Sequence, residues 1–500
     1  MTTVFDVLDR LAGAESAAAA IEDGTHRLPL SQLRAVVDRL AAGLLARGLR
    51  AGDRALIAQG NSIDWIVSAL AVMRLGAMAV PINPGATARE AAVYENVVEP
   101  RLVLLDADAA SPDRFRAASL HPAEASLTED PAALPARPRA EDRALILFTS
   151  GTTGIPKAAV QCHGTLVLSG EGFGHWLQLS RRDRLLLTMP MFHANAIYYT
   201  LMGGLCVGAA LTILSRFSVT GFWDSVHRAG ATEVNLMGPM VAMLLTAPAR
   251  PDDRENPLRL VYTAAVRPSV MVEFAHRFDV EVVEGYGMTE TPYGCITPLG
   301  STRPGSVGLP RRHPTGAVAN DIRVVDDAGR ERADGEIGEI VIRNNATFLE
   351  YWNNPQATSG AFRDGWLRTG DLGRRDSEGY FYIVGRTKEV VRRKGVNIAP
   401  AEIEETMGAI EDVAEAALIG VPSPLGEEQA IVVVTLAPGI PRDGAERRIM
   451  DRLATLVSRE KRPDAVVVTD QLPKTPTHRI ERSRLREWLQ GREQPRPSGP

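Results

Sequence analysis

Lysine is scarce in this chain. Of its 56 basic residues only Lys157, Lys388, Lys394, Lys461 and Lys474 are lysine, and the rest are arginine. An arginine here therefore reflects a general bias before it reflects a task, whereas each lysine is slightly more suggestive. Cysteine is rarer: Cys162, Cys206 and Cys295 stand far apart and form neither a CxxC pair nor a disulfide framework, which fits a reducing cytoplasm. Positive charge is also missing in bulk. A net charge of −5 argues against a broad nucleic-acid-binding surface and leaves small-molecule chemistry as the expectation. The longest apolar run, "TLMGGLCVGAALTIL" at 200–214, falls short of the roughly 20 residues a membrane helix needs and is interrupted by glycine, so it reads as core. The opening "MTTVFDVLDR" lacks a basic region followed by an apolar stretch, and no secretory signal is expected.

What is present is a chain of 500 residues, 45% hydrophobic and 23% charged, long enough for a large core and more than one domain. "LSQLRAVVDRLAAGLLARGL" sets Leu33, Val36, Val37, Leu40, Leu44 and Leu45 on one helical face. "DRALIAQ", "WIVSALAVMRLG" and "AMAVPIN" then alternate strand, helix and strand, which predicts parallel pairing through crossover helices and an α/β fold. A polar, Pro/Ala-rich stretch from His121 predicts a surface loop. From Ser301 to Arg343 short strands with Gly, Pro and Asp turns predict a small antiparallel β subdomain. Beyond "GRTKE" a small α+β pattern follows. The expected domains are 1–385, a large N-terminal domain of βαβ subdomains, and 386–490, a small C-terminal domain, with a disordered tail at 491–500.

Three stretches are suited to nucleotide chemistry. In "TSGTTGIPK", Thr149, Ser150, Gly151, Thr152, Thr153 and Gly154 offer backbone N–H groups and hydroxyls to phosphate oxygens, and Lys157 adds a point charge. The alternative is an ordinary surface turn. "GYGMTE" at 285–290 follows the apolar strand "VEVVE"; Tyr286 is able to stack on a purine, Thr289 to bond a phosphate and Glu290 to hold Mg2+, against a purely structural reading. "TGDLG" places Asp371 in a turn, where its two acceptors either grip both hydroxyls of a ribose or cap the turn.

Taken in this order, with "MPMFHANA" and "GRTKEVVRRKGVNIAPAEIE", these motifs resemble the adenylate-forming superfamily of acyl-CoA synthetases, luciferases and peptide-synthetase adenylation domains, over nearly the whole chain. Within it "MFHANA" and "VRRKGVNIAPAEIE" look most like the crotonobetaine/carnitine-CoA ligase branch. The resemblance implies an enzyme in which a carboxylate attacks the α-phosphorus of ATP, pyrophosphate leaves, and a thiol, that of CoA, then displaces AMP. It implies that residues 149–157 hold the outer phosphates and that adenine lies against Tyr286, within Glu284, Gly285 and Gly287 and beside a wall of Ala264, Ala265 and Val266. It gives Asp371 and Arg386 the ribose, adds Ile383 and Gly395 to the cofactor set, and makes Lys388 the hinge of a mobile C-terminal domain. His193 corresponds to the histidine that abuts the acyl carboxylate; Asn195, Met237 and Gly238 are the pocket candidates. Arg392, Arg393 and Lys394 either meet the phosphates of CoA or form a solvated charge run. A homodimer is compatible with such an enzyme.

One departure stands out. Where the family's final motif carries Gly-Lys, this chain has His478–Arg479. That lysine bridges the carboxylate and the α-phosphate in relatives. Arginine keeps its charge but replaces a compact ammonium with a wide planar fork. Three readings follow: an ordinary acyl-CoA ligase using Arg479, an enzyme that passes the adenylate to a nitrogen nucleophile, and a non-catalytic homologue.

Overall fold

The computed structural model describes residues 2–13, 19–107, 112–125, 131–149, 156–301, 303–387, 389–393, 396–398, 400–422, 428–475 and 480–491. Ser150, the run Gly151 to Gly154, Lys388, Lys394, Gly395 and Arg479 lie outside them. The contacts divide the chain into one compact unit of 1–322 with 342–367 and a second of 323–341 with 368–500.

The first unit is mixed α/β. One of its sheets orders its strands Glu350–Tyr351, Lys157–Cys162, Arg143–Thr149, Met78–Pro81, Arg54–Ala58, Leu102–Leu105 and Ala118–Leu120. Arg54–Ala58 pairs in parallel with Met78–Pro81 and with Leu102–Leu105, as the strand–helix–strand alternation predicts. The crossover helix Ile63–Arg74 is capped by Ser62, whose hydroxyl accepts from the Trp65 N–H, and nearly every one of its residues is buried. A helix apolar all round must lie inside, and it does. Leu30–Ala46 is the amphipathic helix expected, with Leu33, Val37, Leu40 and Leu44 buried and Val36 and Leu45 packed at the edge of the same core.

The second sheet of this unit runs Leu309–Pro310, Thr291–Ile296, Glu281–Met288, Leu260–Ala264, Glu233–Met237, Arg184–Leu187, Ala210–Ile213, Ala20–Glu22 and Arg27–Pro29. Its centre is parallel, so the carboxyl ends of Glu233–Met237 and Leu260–Ala264 lie side by side, Met237 opposite Ala264. The apolar run at 200–214 is core: residues Ala196–Leu201 form a π-helix, Met202–Val207 an α-helix and Ala210–Ile213 a strand. Among the described residues no helix is long and apolar enough to cross a membrane.

The second unit carries the α+β pattern expected of the C-terminal region. Helix Pro400–Gly408 packs on strand Val413–Pro422, which pairs antiparallel with Glu428–Leu436, itself parallel to Ala465–Val468. The alternating Val and Ile of Glu428–Leu436 face two apolar clusters, one holding Val432 and Val434 and the other Ile431 and Val433. The sequence boundary at 385/386 falls within this unit, at the end of strand Phe381–Arg386.

One core residue makes the first unit sensitive to pH. Glu233 opens a fully buried strand, and among the described residues neither of its carboxyl oxygens finds a hydrogen-bond partner. Burial lifts its pKa from the ordinary 4.5 to about 8, with Arg259 opposing and Asp183 adding to the rise. In the unfolded chain it ionises near 4.5, so the unfolded state releases its proton first and stability is lost as pH climbs from there to the folded pKa. Glu233→Gln is expected to flatten this loss. The difference between wild-type and variant stability should change by on the order of 1.4 kcal/mol per pH unit between about pH 5 and 8, read from urea unfolding. Parallel curves would mean that the buried carboxyl finds a partner in solution.

Candidate active site

Strand Glu281–Met288 carries most of the nucleotide motif within itself. It pairs in parallel with Leu260–Ala264 through Glu284, then antiparallel with Thr291–Ile296 from Gly285 onward. The apolar strand therefore does not end before "GYGMTE"; it runs through the motif, and Thr289 and Glu290 form the turn of a hairpin. Two donors hold that turn: Gln161 Nε2 and the Tyr198 hydroxyl both reach the Thr289 carbonyl at 2.8 Å. Glu290 is buried, and its Oε1 accepts from the Tyr351 hydroxyl at 2.6 Å. Burial, then the Glu290 charge, pushes the Tyr351 pKa up, so the phenol stays a donor.

Tyr351 joins two motifs. The Lys157 ammonium lies over its ring at 4.6 Å from the centroid, a cation–π contact. Lys157 is opposite Thr149 in register, so the two described ends of the motif lie side by side. The flank of the phosphate-loop motif, an aromatic ring and the Glu290 carboxylate thus form one line through strand Glu350–Tyr351, which pairs with Lys157–Cys162. Sequence reasoning missed Tyr351, because its partner lies 61 residues away and no local pattern marks it.

Residues 264–266, expected to lie beside adenine, follow directly from strand Leu260–Ala264. Ala264 ends its strand and Ala265 takes φ 57°, a left-handed conformation that costs a non-glycine residue about 1–2 kcal/mol. Glu284 lies beneath, its Oε1 accepting weakly from the Val266 N–H at 3.4 Å. Burial raises the Glu284 pKa to about 8, against the lowering by backbone bonds from Val266 and Ala265. Gly238 has no room for a side chain: a Cβ would come within 2.1 Å of the Ala265 carbonyl oxygen. Met237, Gly238, Ala264 and Ala265 are therefore one patch. Tyr286 lies one residue beyond the strand's switch in partner, opposite Cys295, and Gly287 approaches the Tyr199 hydroxyl, 2.7 Å from where its Cβ would be.

His193 closes a turn, its N–H donating to the Pro190 carbonyl, and its ring lies against Phe192 at 4.5 Å. Asn195 follows immediately before the π-helix. Its Oδ1 accepts from Asn235 Nδ2 at 2.9 Å, so the amide is held by a side chain of the neighbouring strand.

Within the second unit the "TGDLG" motif is not the turn that its flanking glycines suggest. Asp371 sits inside strand Trp366–Arg375, where Leu367, Thr369, Asp371 and Gly373 are buried in alternation. Gly370 takes φ 70°, which kinks the strand without ending it. The Asp371 N–H donates to the Thr369 hydroxyl, which donates in turn to the Ile340 carbonyl. Asp371 is opposite Arg386 in register, and Arg386 Nε meets its Oδ1 at 2.9 Å. The two residues expected at the ribose come together. Ile383 lies on the same strand as Arg386, opposite Gly373. Arg393 is not a solvated charge: it is largely buried and makes a two-pronged ion pair with Asp464 at 2.6 and 2.8 Å.

The family model of AMP-binding enzymes matches residues 8–352, and that of the AMP-binding enzyme C-terminal domain matches 402–479. The chain belongs to the AMP-binding enzyme family. Among relatives of the family, a sulfoacetate–CoA ligase of Cupriavidus necator is 32% identical, with 93% of each chain covered. An indoleacetate–CoA ligase of Aromatoleum aromaticum is 32% identical over 96% of this chain and 97% of its own. The crystal structure of ATP-bound MatB from Rhodopseudomonas palustris superposes with a TM-score of 0.88 at 28% identity, covering 97% of this chain and 99% of that one.

Proposed function

We propose that this AMP-binding enzyme activates a carboxylic acid with ATP and passes the acyl group to CoA. A carboxylate oxygen attacks the α-phosphorus and the bond to pyrophosphate breaks; the CoA sulfur then attacks the acyl carbon, its proton is lost to solvent, and AMP leaves. The observation that carries this reading is the line Lys157–Tyr351–Glu290, which sets a cation beside the phosphate-loop strand and a carboxylate beside Thr289.

Each residue has a task. Lys157 and the hydroxyls of 149–154 hold the outer phosphates, and the Thr289 side chain bonds the α-phosphoryl group as charge grows there. Tyr286, Glu284 and the 264–266 wall hold adenine, and Asp371 with Arg386 holds the ribose. Glu290 fits Mg2+, a hard cation that takes one or two carboxylates and fills its shell with phosphate oxygens and water. Bound there, the ion would neutralise charge on the phosphates. His193 abuts the acid, with Asn195, Met237 and Gly238 around its chain. We further propose that Lys388 is the hinge on which residues 386–490 move between the two steps, with Gly395 reaching the cofactor side and Arg479 taking the place of the usual lysine. Three unpaired cysteines suit a cytoplasmic setting.

Incubation with Mg-ATP and a panel of acids, with and without CoA, tests the reading. AMP release that requires CoA and yields the matching thioester is expected. AMP release that ignores CoA but responds to amines would move the acceptor to nitrogen. No AMP with any acid or acceptor would overturn the catalytic reading altogether.

A further inference from the structure

The turn at Thr289 and Glu290 is fixed by groups that its own sequence does not supply. Thr289 is partly exposed, but its carbonyl is turned inward, where it accepts from Gln161 Nε2 and from the Tyr198 hydroxyl, each at 2.8 Å. Both donors are buried, Gln161 completely. A carbonyl oxygen has two lone pairs, so these two bonds fill it. The Glu290 carbonyl accepts in turn from the Phe348 N–H at 2.7 Å. With both carbonyls held, the backbone that sets the direction of the Thr289 and Glu290 side chains is held as well.

The two donors to Thr289 come from different parts of the chain. Gln161 lies on strand Lys157–Cys162, four residues after Lys157 and so on the same face of it. Tyr198 belongs to the π-helix Ala196–Leu201, whose residues are all buried and which starts three residues after His193. His193 and Asn195 are themselves partly exposed. The segment expected at the acid thus enters the core and meets, through one phenol, the turn expected at the α-phosphate. π-Helices are rare and often lie at functional sites. Burial, then the Glu290 charge, pushes the Tyr198 pKa well up, so the phenol keeps its proton and stays a donor.

The next residue has a different partner. The Tyr199 hydroxyl donates to the Pro292 carbonyl at 2.9 Å, beyond the turn. Arg311, with no exposed surface, secures the same strand: Nη1 donates to the Pro292 carbonyl at 2.6 Å and to the Tyr199 hydroxyl at 2.5 Å, and Nε donates to the Cys295 carbonyl at 2.9 Å. Tyr199 and Arg311 therefore hold strand Thr291–Ile296, whereas Tyr198 holds Thr289 itself.

We infer that Tyr198 is a positioning residue for adenylate formation: together with Gln161 it fixes the Thr289 carbonyl and so aims the Thr289 side chain at the α-phosphoryl group. This rests on the acid–CoA ligase reading above and adds to it a residue that touches neither ATP nor the acid. A misplacement of about 1 Å at a reacting centre costs on the order of 10²-fold in rate. Binding, which is spread over many contacts, is little affected by it. Loss of the Tyr198 hydroxyl is felt in kcat, and the remaining bond from Gln161 limits the shift.

Exchange of labelled pyrophosphate into ATP measures this step, with the acid of the panel that gives the wild-type enzyme its fastest AMP release. Tyr198→Phe should lower kcat for exchange by about tenfold or more, while KM for ATP and for the acid stays within about twofold of wild type. Tyr199→Phe is the control. It removes a buried hydroxyl from the neighbouring strand's carbonyl and should leave kcat within about twofold. If Tyr198→Phe does not fold, Gln161→Met, which removes the other donor to the same carbonyl, should show the same fall in kcat. Equal falls in Tyr198→Phe and Tyr199→Phe, or a raised KM with kcat kept, overturn the inference and leave the ligase standing. No exchange by the wild-type enzyme with any acid defeats both.

Discussion

Glu290→Gln should slow adenylate formation by about 10²- to 10³-fold, the range seen when one group that stabilises developing charge is removed. The amide keeps the shape of the side chain and can still accept from the Tyr351 hydroxyl, so the hairpin at 289–290 should persist. What is lost is the negative charge, and with it the proposed hold on Mg2+. Pyrophosphate exchange into ATP, followed as a function of Mg2+, separates the two effects: the variant should need more Mg2+ for half-maximal exchange and reach a lower plateau. Tyr351→Phe offers the contrast. It leaves the carboxylate in place but frees its orientation, and a drop of about tenfold or less is expected, since one hydrogen bond to a charged group contributes about 1.5–3 kcal/mol and only part of it is felt in the transition state. Unchanged turnover in Glu290→Gln would remove Glu290 from the metal site.

Asp371→Ala should weaken nucleotide binding by about 10²-fold or more, from the loss of the two charge-assisted hydrogen bonds proposed to the ribose. The carboxylate is nearly buried and already fixed by Arg386 at 2.9 Å, so a ribose would meet it in its working orientation. A structural role alone would also lower activity, and an ATP analogue lacking both ribose hydroxyls distinguishes the cases. Wild-type enzyme should discriminate strongly between ATP and the analogue, and Asp371→Ala should treat them nearly alike. Equal discrimination in both proteins would assign Asp371 to holding Arg386 and nothing more.

The order of nucleotide motifs was legible because each is local: "TSGTTGIPK", "GYGMTE" and "TGDLG" carry their chemistry within nine residues or fewer. So was the fold class, since alternating apolar strands and helices leave few ways to pair. Long-range partnerships were not. Nothing near Tyr351 or Gln161 announces that one grips Glu290 and the other the Thr289 carbonyl. Asp371 was misread as a turn residue because glycine precedes it and follows two positions later, and the burial alternation of its strand shows only once the strand is paired. Arg311 was hidden differently. In a chain that uses arginine for nearly every positive charge, one fully buried arginine looks like all the others until its neighbours are known.

The π-helix at Ala196–Leu201 also bears on how such a pocket can change over generations. It buries two consecutive tyrosines, one bonded to the hairpin turn and the other to Arg311. In an α-helix each residue turns the chain by about 100°. A π-helical turn holds one residue more than an α-helical one, so losing a single residue here would let the segment close to an α-helix with its flanks in place and would carry one phenol off its present partner.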